Sequence, residues 1–140
     1  MPKFLVAAVD EIPDGSRKLL TVAGRSIGVF HVNGEYFALR NRCPHQGGPL
    51  CQGKLGSWID SPRPGEYNLS RPDEIIRCPW HGWEFDLRTG QSYWDPQHQR
   101  VRPYAVQLTT GADLSPAYVA ETYEVKIDQG YIVVEIPGTD

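Results

Sequence analysis

The sequence predicts an all-β fold, and three observations carry that prediction. Asn33-Gly34 lies between two β-prone runs, Ile27–Val32 and Glu35–Leu39. An Asn-Gly pair suits a type I′ hairpin turn because both central residues need φ > 0. Near the other end, Thr122–Asp128 alternates, with Tyr123, Val125 and Ile127 on one face and Glu124 and Lys126 on the other; Gly130 then turns the chain into Tyr131–Ile136. Finally, 14 Gly and 12 Pro among 140 residues favour turns and short strands over helices. A chain of this length suits one domain with a real core, residues 1–140, rather than two.

Taken in order, Phe4–Val9 is an apolar run that ends in the turn-like E-I-P-D-G of Glu11–Gly15 and reads as a buried strand. Leu19–Val22 is a second short strand. The Asn-Gly hairpin follows and leads straight to Cys43. From Cys43 to Trp94 there are few alternating runs and many turn residues, so loops rather than a sheet are expected there. Glu84–Asp86 reads as a short strand closed by the D-L-R-T-G turn of Asp86–Gly90. Thr109–Ala117 reads as a polar loop in which Ser115-Pro116 suits the start of a helical turn. The expected architecture is a β scaffold from the two terminal parts, with a loop-rich lobe between them, about residues 40–95.

A net charge of −3 gives no reason to expect a nucleic-acid partner. Three cysteines are an odd number and argue against a disulfide framework. The start, M-P-K-F-L-V-A-A-V-D-E, has an apolar run too short for a signal-peptide core, and no stretch approaches a membrane span. A soluble cytoplasmic domain is the expectation.

Chemistry concentrates in C-P-H-Q-G at Cys43–Gly47 and C-P-W-H-G-W at Cys78–Trp83. Each offers one thiolate and one imidazole on a tight loop containing Pro and Gly, so Cys43, His45, Cys78 and His81 are the candidate metal ligands. A lone Cys is commonly a small buried hydrophobe; four ligand side chains in two compact loops point to metal. Structural zinc usually draws on paired C-x₂₋₄-C and H-x₃₋₅-H motifs. Here each loop is mixed, which suits a two-metal cluster in which each loop reaches both metals. Cys51 lies outside the pattern and reads as a buried free thiol. His31, in a strand, and His98, in a polar loop, have no ligand partners nearby in sequence.

On these motifs the chain resembles Rieske-type [2Fe–2S] ferredoxins. C-P-W-H-G-W-E-F-D-L-R-T-G at Cys78–Gly90 is similar to the second ligand loop of ring-hydroxylating-oxygenase ferredoxins, and C-P-H-Q-G-G-P-L at Cys43–Leu50 to their first. The resemblance implies a Rieske fold, an all-β base with an inserted cluster-binding subdomain. It also implies one [2Fe–2S] cluster per chain, with Cys43 and Cys78 on one iron and His45 and His81 on the other, nearer the surface.

The sequence departs from the respiratory-type members in three places. Gly48 and Trp80 stand where those proteins carry a bracing disulfide, and Trp83 stands where they carry a Ser that hydrogen-bonds the cluster. Fewer hydrogen bonds to sulfur stabilise the reduced state less, so the potential is expected in the lower part of the roughly −150 to +300 mV Rieske range. The spacing is also long: 32 residues separate His45 from Cys78. The surplus falls in Ser57–Asp73, which reads as a surface loop and, more sharply, as a flap that selects a redox partner.

Reduction adds negative charge and raises the proton affinity of iron-bound imidazoles, so the potential is expected to fall with pH. The chain lacks a two-His-one-carboxylate iron site and any G-x-G-x-x-G nucleotide fingerprint. The expectation is therefore an electron carrier between a reductase and a terminal oxygenase, and no enzyme on its own. A small subunit of a nitrite reductase-like complex and a cluster-based redox sensor are the alternatives.

Overall fold

The structure is a computed structural model that describes residues 3–44, 47–60, 64–65, 68–92, 97, 99–113 and 129–137, the side chains of 58–60 and 68–72 excepted. Its strands are β1 (Lys3–Ala8), β2 (Arg17–Val22), β3 (Arg25–Val32), β4 (Glu35–Arg40), β5 (Lys54–Asp60), β6 (Asn68–Arg77), β7 (Glu84–Asp86), β8 (Pro103–Thr110) and β9 (Gly130–Glu135). Single 3₁₀ turns stand at Val9–Glu11 and Leu50–Gln52. The expected all-β class is what the chain adopts. It forms two compact units, one of Met1–Ala38 with Tyr104–Asp140 and one of Leu39–Pro103.

A six-stranded sheet runs in the order β1-β9-β8-β4-β3-β2. The Asn-Gly turn between β3 and β4 has φ of 51° and 80°, the left-handed pair that the sequence calls for. A second such turn, Ala23-Gly24 with φ of 52° and 77°, joins β2 to β3 in register from Arg17↔Phe30 to Val22↔Arg25. Gly24 is its only sequence signal, because Ala is a poor residue for φ > 0.

Strand β9 lies between β1 and β8 and is buried on both faces, which is why Y-I-V-V reads as an unbroken apolar run. Ile132 and Val134 join Val6, Ala7, Ile27, Val29 and Ala38 in the main core, while Tyr131 and Val133 pack with Leu5 on the opposite side. Each fully buried Val or Ile among them contributes about 1.5–3 kcal/mol. The expected strand Thr122–Asp128 and the turn at Ser115-Pro116 lie outside the described residues. The β9 partners observed are β1 and β8.

Two expectations need correction. The sequence reading assigns no strand to residues 103–108 and places Thr109 in a loop, yet Pro103–Thr110 is strand β8. The cue is present in the alternation of Tyr104, Val106 and Leu108 with Ala105, Gln107 and Thr109. The stretch after Cys43, expected as loops, contains a three-stranded antiparallel sheet β5-β6-β7. Much of Ser57–Asp73 is therefore paired strand, with Trp58↔Ser70, Ile59↔Leu69 and Asp60↔Asn68.

Proline content argues for a loop there, but the sheet accommodates it with a wide irregularity. Pairing jumps from Gly56↔Ile75 to Trp58↔Ser70, so Arg71–Glu74 are thrown out of register, with Asp73 at φ 61°. Pro72 has no N–H to give a ladder, and a bulge is where a strand tolerates that.

Candidate metal centre

The second ligand loop, Cys78–Trp83, is the connection of the β6–β7 hairpin. The ladder Ile75↔Asp86, Ile76↔Phe85, Arg77↔Glu84 runs up to its base. Ile75, Ile76 and Phe85 are essentially fully buried, so the stem is anchored in apolar packing. The Cys78 N–H donates to the Trp83 carbonyl (2.8 Å) and the Gly82 N–H to the Cys78 carbonyl (3.0 Å). Beyond β7, the Asp86 carboxylate accepts the Arg88 N–H (2.8 Å) and its carbonyl accepts the Gly90 N–H (2.7 Å), which closes the expected D-L-R-T-G turn.

The first loop repeats this closure. The Cys43 N–H donates to the Gly48 carbonyl (2.8 Å) and the Gly47 N–H to the Cys43 carbonyl (2.7 Å). In both loops the glycine four residues after the Cys is left-handed, with φ of 78° at Gly47 and 74° at Gly82. That conformation costs an ordinary L-residue about 1–2 kcal/mol, which accounts for Gly at both positions. Asn41 and Cys51 brace this loop: the Cys51 N–H donates to Asn41 Oδ1 (2.8 Å) and the Cys51 thiol to the Leu39 carbonyl (3.6 Å). Cys51 is thus the buried free thiol that its place outside the motif suggests, with a bracing role. Asn41 gives no signal in the sequence, since a polar residue two places before a candidate ligand Cys carries none of its own.

The loops meet at Gly48. A side chain there would run into Trp80, with Cδ2 at 2.9 Å and Cγ at 3.0 Å from a Cβ, and into Cys78 Sγ at 3.1 Å. A glycine is what lets the first loop lie this close to the second thiol. Cys43 and Cys78 are each 2% exposed, whereas His81 is exposed and Trp80 is 56% exposed. Sulfur thus sits inward and the described imidazole outward. His45 and His98 lie outside the described residues. Among the described residues no three His, Cys, Asp or Glu side chains converge on one point. Leu50, two residues after Gly48, is fully buried.

His31 is a structural histidine. Its Nδ1–H donates to the Ile12 carbonyl (2.8 Å) and its ring stacks on Tyr36, centroids 4.0 Å apart. Burial, and then the Asp14 carboxylate, push the Tyr36 phenol above its ordinary range.

Two inward thiols on matched loops in contact, with an imidazole at the surface, fit a cluster with sulfur ligands on its inner metal and nitrogen ligands on its outer one. On an all-β fold, this candidate donor set suits an iron–sulfur protein of mixed Cys/His ligation. The Rieske [2Fe-2S] domain family matches residues 3–105, and the chain belongs to that family. The group that goes with it is a [2Fe–2S] cluster, and the residues described here fit it.

Among relatives, the 3-phenylpropionate/cinnamic acid dioxygenase ferredoxin subunit of Photorhabdus laumondii is 28% identical over 111 residues, covering 79% of this chain and 90% of its own. The ferredoxin component of the naphthalene 1,2-dioxygenase system of Pseudomonas aeruginosa is 29% identical, with 72% and 82% covered. In structure, the Sphingomonas yanoikuyae B1 ferredoxin superposes with a TM-score of 0.60 over 97% of this chain and 100% of that one, at 21% identity. That likeness speaks to the fold. No helix among the described residues is long and apolar enough to cross a membrane.

Proposed function

We propose that the chain is a one-electron carrier in which Cys43 and Cys78 hold the inner iron of a [2Fe–2S] cluster and His45 and His81 the outer. It takes electrons from a reductase and delivers them to a terminal oxygenase, in the cytoplasm, as a single domain over 1–140 with the Leu39–Pro103 unit as its cluster-binding part. When bound, the cluster supplies reversible one-electron chemistry.

The chain's own part is to shield and to expose. Its loops bury the two thiols, and the β6–β7 ladder fixes the second loop so that His81 stays at the surface. The single observation that carries the reading is the meeting of the loops at Gly48, against Cys78 Sγ and Trp80. The relatives' names, ferredoxin components of dioxygenase systems, favour a carrier over a nitrite reductase-like subunit.

The test is the EPR spectrum of the dithionite-reduced protein with its iron content. A rhombic Rieske signal with two irons per chain is expected, lost in Cys78→Ser. A colourless protein, or one that holds zinc after anaerobic reconstitution, overturns the reading.

A further inference from the structure

Four arginines gather on one concave surface of the Leu39–Pro103 unit. Arg40, Arg42, Arg100 and Arg102, with Pro44 and Val101, line a cavity of about 260 Å³. Among the described residues that line it there is no Asp or Glu. Its floor is held by backbone: the Arg40 N–H donates to the Arg102 carbonyl and the Val101 N–H to the Gly90 carbonyl, both at 2.9 Å. Val101 is buried, while Arg42, Arg100 and Arg102 are exposed.

The charge is local. The whole chain is at −3, yet residues 39–103 carry nine Lys and Arg against seven Asp and Glu, and the remaining residues carry five against ten. A guanidinium presents a planar fork of donors that matches a carboxylate, so four of them around one hollow select carboxylate-rich surfaces.

The hollow also adjoins the metal loops. Pro44 lies between Cys43 and His45. The Arg42 guanidinium lies over Gly47, its Nε 3.5 Å from where a Cβ would be, and the Trp80 ring lies over the adjacent Gly48. An exposed cation and an exposed indole thus flank the same Gly-Gly pair. Arg and Trp are the residue types that dominate protein–protein contact energies. A small anion would use the arginines and leave Trp80 idle; a protein surface uses both.

We infer that this surface docks an acidic patch of the electron-transfer partner, with carboxylates in the arginine hollow and Trp80 as the apolar anchor. The inference rests on the carrier reading above. It places the partner beside the first loop, which carries the candidate ligands Cys43 and His45.

The test uses the cluster-loaded protein and two one-electron donors of opposite charge: the hydroquinone of flavodoxin, an acidic protein, and the methyl viologen radical cation. In each reaction the donor loses one electron and the oxidised protein gains it, giving flavodoxin semiquinone or the viologen dication.

At about 10 mM ionic strength, Arg42→Glu/Arg100→Glu is expected to slow reduction by flavodoxin about tenfold or more, with the deficit closing at about 0.5 M salt. The viologen rate stays level or rises. Trp80→Ala slows flavodoxin at both salt concentrations. Lys3→Glu/Lys54→Glu, with the same change in net charge, stays near the parent rate. Should the glutamate variant fold poorly, Arg42→Gln/Arg100→Gln gives the same ordering with a smaller effect.

If neither donor reduces the parent protein, the carrier reading itself fails. If viologen reduces it and the flavodoxin rate ignores Arg42→Glu/Arg100→Glu, the docking surface alone is overturned. The docking surface likewise falls if pyrophosphate binds the hollow in titration calorimetry while leaving the flavodoxin rate untouched.

Discussion

In Cys43–Gly48 the imidazole follows its thiol by two residues, and the loop runs from strand β4 toward the 3₁₀ turn at Leu50–Gln52. In Cys78–Trp83 the imidazole follows by three, and a β ladder closes directly beneath. Their hydrogen bonds nevertheless coincide: Cys N–H to the carbonyl five residues on, and the N–H of the Gly at four back to the Cys carbonyl. The shared element is therefore a backbone ring closed by a left-handed glycine. The support beneath it is what varies. One loop borrows a sheet, and the other is held by Asn41 and Cys51.

Changes at the point where the loops touch break that equivalence most strongly. Gly48→Val is expected to abolish cluster retention, because its side chain drives into Trp80 and Cys78 Sγ. Gly48→Ala costs about 1–3 kcal/mol of overpacking, read as faster loss of visible absorbance under chelation. Gly48→Ala/Trp80→Ala recovers part of that loss, since the exposed indole is the movable half of the clash. Unchanged retention in Gly48→Ala would mean that the loops are not in contact in solution.

The backbone ring is tested by Gly47→Ala and Gly82→Ala. An added Cβ meets only ordinary contacts at either place, Arg42 at 3.5 Å and Arg77 at 3.9 Å. The penalty is then conformational, about 1–2 kcal/mol for each, seen in thermal unfolding. Equal losses confirm matched loops. A much smaller loss at Gly47 would show that the first loop, without a ladder beneath it, relaxes where the second cannot.

The smallest effect concerns electronics. Trp83→Ser places a hydroxyl where the respiratory-type sequences have one. A hydrogen bond worth about 1 kcal/mol to the reduced state corresponds to roughly 40 mV for one electron, so the midpoint should rise by about that much in protein-film voltammetry. No rise would show that the second loop does not aim that side chain at the cluster.

Much of this molecule is legible without coordinates. The Asn33-Gly34 turn is readable because two adjacent residues with the right φ preference decide it. The four ligand candidates are readable because Cys and His with Pro and Gly beside them are rare in so short a span. Strand β8 goes unassigned by the sequence reading although its alternation is present, and Ala23-Gly24 gives only half of a turn signal. The β5–β6 pairing is hidden for a physical reason: Pro72 and Asp73 look like loop residues, and whether a strand can expel them in a bulge depends on the apolar packing of Ile75 and Ile76 further along.

The sequence by itself determined the candidate ligand types, the β3–β4 hairpin and the all-β class, since each depends on residues a few positions apart. Tertiary structure alone decided that Gly48 lies against Cys78 and that Arg40 and Arg42 share a hollow with Arg100 and Arg102. Those neighbours lie tens of residues apart in the chain. What brings them together is strand register and summed burial, and no local pattern encodes either.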